Sequence, residues 1–244
     1  MIRSQRVSVI IPALNEELAI GRVIASIPHW VDEIIVVDNG STDDTARVAA
    51  DCGARVVSER ERGYGAACLK GIASLHDCDV VVFLDGDFSD DASEMGTLVE
   101  PIVSGQAELV IGSRVRGRCS VGALTPHQRF GNWLACHLLR LIWGTTWSDL
   151  GPFRAISTRA LQLLDMRDRR YGWTVEMQLK AAVHRLRCME VPVSYRPRVG
   201  VSKISGTLVG SAKAGVTILR LIAQSAFYRR YSVSRRIAKH TNVA

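Results

Sequence analysis

Short apolar runs, each stopped by a polar cluster, recur along the first half of the chain. Val7-Ser8-Val9-Ile10-Ile11 stops at Pro12, Ile34-Ile35-Val36-Val37 at Asp38, and Val80-Val81-Val82-Phe83-Leu84 at Asp85, with a shorter run at Arg55-Val56-Val57. Runs this short and this rich in β-branched residues predict strands buried on both faces. Between them, apolar positions recur at helical spacing. Leu18, Ile20, Val23, Ile24 and Ile27 predict a helix after Asn15-Glu16-Glu17, the N-capping turn Asn39 to Thr45 precedes a helix over Ala46 to Cys52, and Gly63-Tyr64-Gly65 opens another. The alternation predicts an α/β fold: a mostly parallel central sheet with helices on both faces, binding its ligand at the carboxyl ends of the strands.

Two later helices carry a different pattern. Trp133 to Trp143 is apolar nearly all round and is expected to pack in the core. From Leu208 to Phe227, apolar residues at helical spacing alternate with Lys213 and Arg220, and Arg229 and Arg230 follow. That pattern predicts a basic amphipathic helix lying on an anionic bilayer, with packing on the sheet or on a second subunit of a homo-oligomer as the alternative. Residues 1–205 are thus expected to form one domain and residues 206–244 a basic helix and tail, peripheral to the membrane.

Charge placement supports this division. The chain carries +7 overall, yet from Val191 onward there are ten basic residues and no acid, which leaves about −3 on the first 190 residues. Such a tail favours an anionic surface; few aromatics and no recognisable motif argue against nucleic acid. No apolar run approaches the ~18 residues of a spanning helix, and Met1 to Glu17 lacks the features of a signal peptide. The expected location is the cytoplasm, at the inner face of the cytoplasmic membrane. Six scattered cysteines without metal-ligand or paired spacing are read as reduced.

The chemistry lies at the strand ends. Asp85-Gly86-Asp87 puts two carboxylates one residue apart at the tip of a buried strand. Like charges placed there either cap a turn or hold a divalent metal that carries a phosphate. Gly63 and Gly65 could let backbone amides approach a phosphate. The absence of G-x-G-x-x-G after the first strand and of G-x-x-x-x-G-K-[ST] argues against a dinucleotide dehydrogenase and a P-loop enzyme.

Taken together, Val9 to Glu16, Ile35 to Asp43, Leu84 to Asp87 and Ile111-Gly112-Ser113-Arg114 resemble a family 2 glycosyltransferase of the A-type nucleotide-sugar fold. Arg129-Phe130-Gly131-Asn132, Asp149 to Arg154 and Glu190 to Tyr195 resemble its dolichyl-phosphate mannosyltransferase and polyprenyl-phosphate glycosyltransferase branch. The resemblance implies a UDP- or GDP-sugar donor held by Pro12, Asn15, Glu16 and Asp38, and Mg²⁺ or Mn²⁺ on Asp85 and Asp87, with inversion at the anomeric carbon. Arg114 and Arg129 match acceptor-phosphate contacts, and Arg198 and Lys203 are expected to complete that cradle.

The acceptor is left open between a polyprenyl phosphate, which needs no general base, and a hydroxyl, for which Glu176 is the candidate base and Asp149 the second. A nucleotidyltransferase lacks the expected basic loop after the first strand, and a non-catalytic membrane-surface module would bind no donor. Three positions depart from the relatives: Asn39 replaces a common Asp, Ser89 stands where a metal-binding Gln is common, which leaves Asp90 or water as the third ligand, and Pro152 is inserted before Phe153-Arg154.

Overall fold

The structure, a computed structural model, describes residue 2 and residues 4–200. The expected C-terminal helix, the basic tail and Lys203 lie outside the described residues.

The apolar runs form the predicted strands, β1 (Val7–Ala13), β2 (Glu33–Asp38), β3 (Arg55–Ser58) and β4 (Val80–Phe83). They alternate with α1 (Ile20–Ser26), α2 (Thr45–Asp51) and α3 (Tyr64–Ala73). The second half adds α4 (Met95–Val103), β5 (Leu109–Ser113), α5 (Pro126–Trp143), β6 (Arg154–Ser157), α6 (Thr158–Leu164), α7 (Trp173–Val183) and β7 (Cys188–Pro192). Among the described residues, all seven strands join one sheet in the order β3-β2-β1-β4-β6-β5-β7, in which β6 alone runs antiparallel to its neighbours. The sheet is therefore mostly parallel. The carboxyl ends of β1, β2, β4 and β5 lie along one rim, where Ala13, Asp38, Leu84 and Arg114 leave the sheet.

The period-two exposure of alternate side chains splits the core into two layers. Ile10, Ile35, Val81 and Phe83 pack with α3, α5, α6 and α7 on one face, and Val9, Ile11, Val36 and Val82 with α1, α2 and α4 on the other. Trp173 at the start of α7 meets Phe83 edge-on at 5.7 Å, tying that helix to the strand that carries the acidic pair.

The expectation that the helix around Trp133–Trp143 packs in the core holds for one face, where Ala135, Cys136 and Leu139 join the core with Leu138, Ile142 and Trp143 against it, and fails for the other. α5 starts in a capping box, Thr125 with Gln128, and ends at Gly144 in the left-handed region (φ 70°). It buries only Ala135, Cys136 and Leu139. Phe130, Trp133 and Leu141 are 61%, 57% and 69% exposed, and Trp133 stacks on His137 at 5.4 Å. Positions 130, 133, 137 and 141 share one helical face, so α5 carries an outward stripe that a hydropathy count cannot distinguish from an inward one. All six cysteines are free, matching the reduced reading.

Candidate active site

The donor end is built from the turns that follow β1 and β2. Asn15, in the left-handed region at φ 52°, donates its backbone N–H to Ser41 Oγ at 2.9 Å, while its side-chain Oδ1 accepts from Thr42 N at 2.8 Å. Glu16 N donates to Thr45 Oγ1 at 2.7 Å. Asp38, paired with Ala13 at the end of β2, accepts from Ser41 N at 2.9 Å. Pro12, Asn15, Glu16 and Asp38 are thus brought to one rim by adjacent parallel strands. Asn39 explains its own departure from the relatives. Its amide donates to the carbonyls of Glu59 and Glu61 at 3.0 and 2.7 Å, and its Oδ1 accepts from Gly63 N at 2.8 Å, a pattern an ionised Asp, which has no donor, would break.

Asp85 and Asp87 leave β4 on the same rim. Tyr64 donates its hydroxyl to Asp85 Oδ1 at 3.0 Å. Asp87, 3% exposed, accepts from Ser89 N at 2.9 Å and Ser89 Oγ at 2.5 Å, and its other oxygen is ion-paired with Arg198. Burial, then the adjacent Asp87 charge, push the Asp85 carboxyl up to about 7, against the pull of Arg198 and the Tyr64 hydroxyl. Nearby, Asp90 is buried with neither carboxylate oxygen hydrogen-bonded among the described residues, and burial followed by the charges of Asp85 and Asp87 holds its carboxyl well above the carboxylate range. This strand end is short of positive charge.

These residues fit a divalent cation. Mg²⁺-type sites use one or two carboxylates and complete their shell with substrate phosphates and water. Among the described residues no group of three metal-ligating side chains converges, and Ser89 spends its hydroxyl on Asp87, so Asp85 and Asp87 are the protein ligands the geometry offers. Metal binding must displace the Asp85 proton. Affinity for Mn²⁺ should therefore fall about tenfold per pH unit below 7 and level off above it. Calorimetric titration between pH 5.5 and 8 checks this, and a flat profile would remove Asp85 from the ligand set.

A second charged cluster lies at the end of β5. Asp149, fully buried, takes three bonds from Arg114: its backbone N–H at 2.7 Å, Nε at 2.9 Å and Nη2 at 2.7 Å. Burial works against the Arg114 charge, but Asp149 more than offsets it and raises the guanidinium above its ordinary value. The Arg114 guanidinium also lies 5.1 Å from the Tyr195 ring centroid. Arg129 is exposed on the first turn of α5 and makes no ion pair with the described residues. Three positions on, Asn132 bonds Ser148 O at 3.0 Å and Leu150 N at 2.8 Å, so the α5 face carrying Arg129 lies over the segment that holds Asp149.

Several expected roles change. Gly63 and Gly65 do not offer free amides: Gly63 N donates to Asn39, and Gly65 N and Ala66 N donate to the carbonyls of Arg170 and Arg169. A Cβ on Gly65 would stand 2.0 Å from Asp168 O, so these glycines admit the 168–170 backbone rather than a phosphate. Glu176 is no free base. It accepts from Arg167 N at 3.0 Å and Asp168 N at 2.7 Å and pairs with Lys180 at 2.8 Å, anchoring that same segment. Asp149, the second base candidate, is saturated by Arg114. Arg198, expected beside Arg114, is instead paired with Asp87, because residues 195–199 run along the acidic loop, with Arg196 N bonding Ser89 O and Val199 N bonding Asp87 O at 2.9 Å each.

Four contributors have no role assigned from the sequence: Tyr64 on Asp85, Asn132 on Ser148 and Leu150, Arg196 and Arg154. Arg196 donates to Phe88 O at 2.8 Å and Asp90 O at 3.1 Å and fixes the acidic loop. Arg154 is wholly buried, its guanidinium spent on the carbonyls of Leu150, Gly151 and Thr174, and burial pushes it down to about 10. The available signals were a charged residue inside an apolar run and its place at the end of the Asp149–Arg154 stretch. A cleft of about 690 Å³ on the β7 edge, lined by Trp143, Thr145, Trp147, Arg185 and Glu190 among others, contains none of the sequence-predicted site residues.

With this geometry in hand, comparison with known proteins is direct. Residues 8–164 match the description "Glycosyl transferase family 2". This chain belongs to that family. An uncharacterised glycosyltransferase of Mycobacterium bovis is 39% identical over 219 residues, covering 89% of this chain and 98% of the relative. The undecaprenyl-phosphate mannosyltransferase of Micrococcus luteus is 32% identical over 237 residues, covering 90% and 96%. Among solved structures, glucosyl-3-phosphoglycerate synthase from Mycobacterium tuberculosis in complex with Mn²⁺, UDP-glucose and phosphoglyceric acid superposes with a TM-score of 0.73 at 26% identity, covering 91% of this chain and 80% of that one. The family 2 glycosyltransferase is therefore an enzyme with the A-type fold, and its solved neighbour holds Mn²⁺ and UDP-glucose.

Proposed function

We propose that this glycosyltransferase moves a sugar, with inversion, from a UDP- or GDP-sugar to a polyprenyl phosphate at the inner face of the cytoplasmic membrane. The observation that carries this reading is the acceptor-side chemistry: Arg114 is held by Asp149, α5, which carries the exposed Arg129, is bonded through Asn132 to the segment around Asp149, and Glu176 and Asp149 are saturated by N–H donors. A phosphate nucleophile is already anionic and needs cations rather than a base. Its oxygen forms the bond to the anomeric carbon as the bond to the nucleoside diphosphate breaks, and no proton is transferred. Mg²⁺ or Mn²⁺ on Asp85 and Asp87 would neutralise charge on the departing diphosphate. Arg198, paired with Asp87, belongs to this donor end and supplies a further cation to the same group. Asp38 is read as the nucleoside contact.

The membrane part rests on the outward stripe Phe130, Trp133 and Leu141, beside the exposed Arg129 and Arg140, and on the basic sequence after Val191. No helix of the described residues is long and apolar enough to cross a membrane. The Micrococcus relative supports a lipid-phosphate acceptor by similarity.

One observation favours a second reading. Asp90, whose oxygens have no hydrogen-bond partner among the described residues and which has charged neighbours on both the donor and acceptor sides, could take a proton from a hydroxyl once a bound cation lowers its raised pKa. Incubating the enzyme and Mn²⁺ with a nucleotide-sugar panel and undecaprenyl phosphate, 3-phosphoglycerate or soluble glycans separates the two. Label extracted into the organic phase supports the lipid reading; transfer to soluble hydroxyl acceptors alone would sink it. In addition, Asp90→Asn should leave phosphate glycosylation within about threefold, but would lower hydroxyl transfer by 10²-fold or more, the size of a lost general base.

A further inference from the structure

Beneath Arg114 and Asp149 lies a third charged residue that no expected role absorbs. Glu190 sits in β7, whose pairing with β5 sets Glu190 opposite Ile111, three residues before Arg114. Its side chain is 5% exposed. One carboxylate oxygen accepts from Ser148 N at 2.8 Å and Asp149 N at 3.1 Å, and the other from Ser148 Oγ at 3.0 Å. Ser148 Oγ also meets Ser113 Oγ at 2.8 Å, and Arg116 approaches Glu190 at 3.8 Å. The segment just before the inserted Pro152 has no strand or helix of its own to hold it. The N–H groups of Ser148 and Asp149 are spent on this one carboxylate and that of Leu150 on Asn132.

We propose that Glu190 is a positioning residue for glycosyl transfer: its carboxylate fixes the Ser148–Asp149 backbone, so that Asp149 holds the Arg114 guanidinium at the acceptor end of the site. Asp149 claims Nε and one Nη2 proton of Arg114. A guanidinium carries five N–H donors in a rigid fork, so three are left for an anion whose position is set by the direction Asp149 imposes. A shift of the Asp149 carboxylate of about an ångström would turn that fork away from the acceptor. Glu190 itself touches neither substrate nor metal in this account.

The kinetic consequence rests on reading Arg114 as an acceptor-phosphate contact; the structural consequence does not. Two readouts therefore run in parallel on Glu190→Gln, which keeps the volume and two of the acceptor bonds, and on Glu190→Ala. The first compares the KM for undecaprenyl phosphate with the affinity for UDP or GDP and Mn²⁺. Acceptor KM should rise about tenfold in Glu190→Gln, equivalent to one lost charge-assisted hydrogen bond, with donor affinity unchanged within twofold. In an Arg114→Lys background the same change should add less than twofold.

The second readout is NMR of ¹⁵N-arginine-labelled protein, in which the Arg114 Nε–H signal is identified by its loss in Arg114→Lys. That signal should shift or exchange faster in Glu190→Gln, while the Arg55 Nε–H signal, held by Glu33 at 3.0 Å far from this segment and identified likewise through an Arg55 variant, stays in place. An unmoved Arg114 signal, equal losses for donor and acceptor, or full additivity with Arg114→Lys would overturn the inference. A moved signal with an acceptor KM indifferent to both Glu190→Gln and Arg114→Lys would uphold the positioning and count against the acceptor reading instead.

Discussion

Asp87→Asn should abolish most turnover without weakening the fold. Removing one of two metal carboxylates is expected to lower kcat by roughly 10³-fold, the scale of about 4 kcal/mol of lost charge stabilisation. The stability effect has the opposite sign from a typical core substitution. Asp87 is buried next to Asp85, and their repulsion contributes to holding the Asp85 carboxyl near 7. An amide in its place removes that repulsion, lets Asp85 ionise more readily, and keeps an oxygen for the Ser89 donors. It also strands Arg198, which is partly exposed and can turn to solvent. Thermal unfolding of the metal-free protein should therefore show a Tm equal to or above wild type. A Tm drop of ten degrees would mean that the Asp87–Arg198 pair is structural, not part of a charge-starved metal site.

Arg114→Ala should do the reverse and cost both stability and acceptor use. It leaves Asp149, fully buried, facing nothing cationic within bonding distance among the described residues. Breaking a buried pair by removing one partner typically costs about 3–5 kcal/mol because an uncompensated charge remains. For a chain of this size that corresponds to a Tm loss of roughly 6–20 °C. Arg114→Ala/Asp149→Asn should recover much of the Tm but none of the acceptor affinity, since the uncompensated charge is gone while the guanidinium is still missing. Recovery of both would show that Arg114 serves the fold alone. Differential scanning calorimetry and acceptor KM values on the three variants separate these outcomes.

The first half of the fold was legible because its strands are parallel and buried on both faces, so they read as continuous apolar runs that end where the polar rim begins. Asp38, Asp85 and Asp87 could be placed at strand ends for that reason alone. What sequence could not supply was who spends each polar group. Gly63 and Gly65 look like a phosphate loop until the 168–170 backbone, more than a hundred residues downstream, is seen to fill the space a Cβ would need. Glu176 looks like a base until its oxygens are counted against Arg167 N, Asp168 N and Lys180. Arg198 reaches Asp87 only because residues 195–199 lie along the acidic loop, a pairing that no local pattern encodes. The outward turn of Phe130 and Trp133 was missed for a related reason: periodicity gives a helix an apolar face but not the direction in which it points.

The account depends most on the claim that the Asp85–Asp87 strand end captures a nucleoside diphosphate together with a divalent metal. Isothermal titration of UDP and GDP into the wild-type protein, with Mn²⁺ and then with EDTA, measures this without any acceptor. One nucleotide should bind at least about tenfold more tightly with Mn²⁺, and that gain should vanish in Asp87→Asn. Binding of equal strength in EDTA, or a metal-dependent gain that survives in Asp87→Asn, would contradict the account.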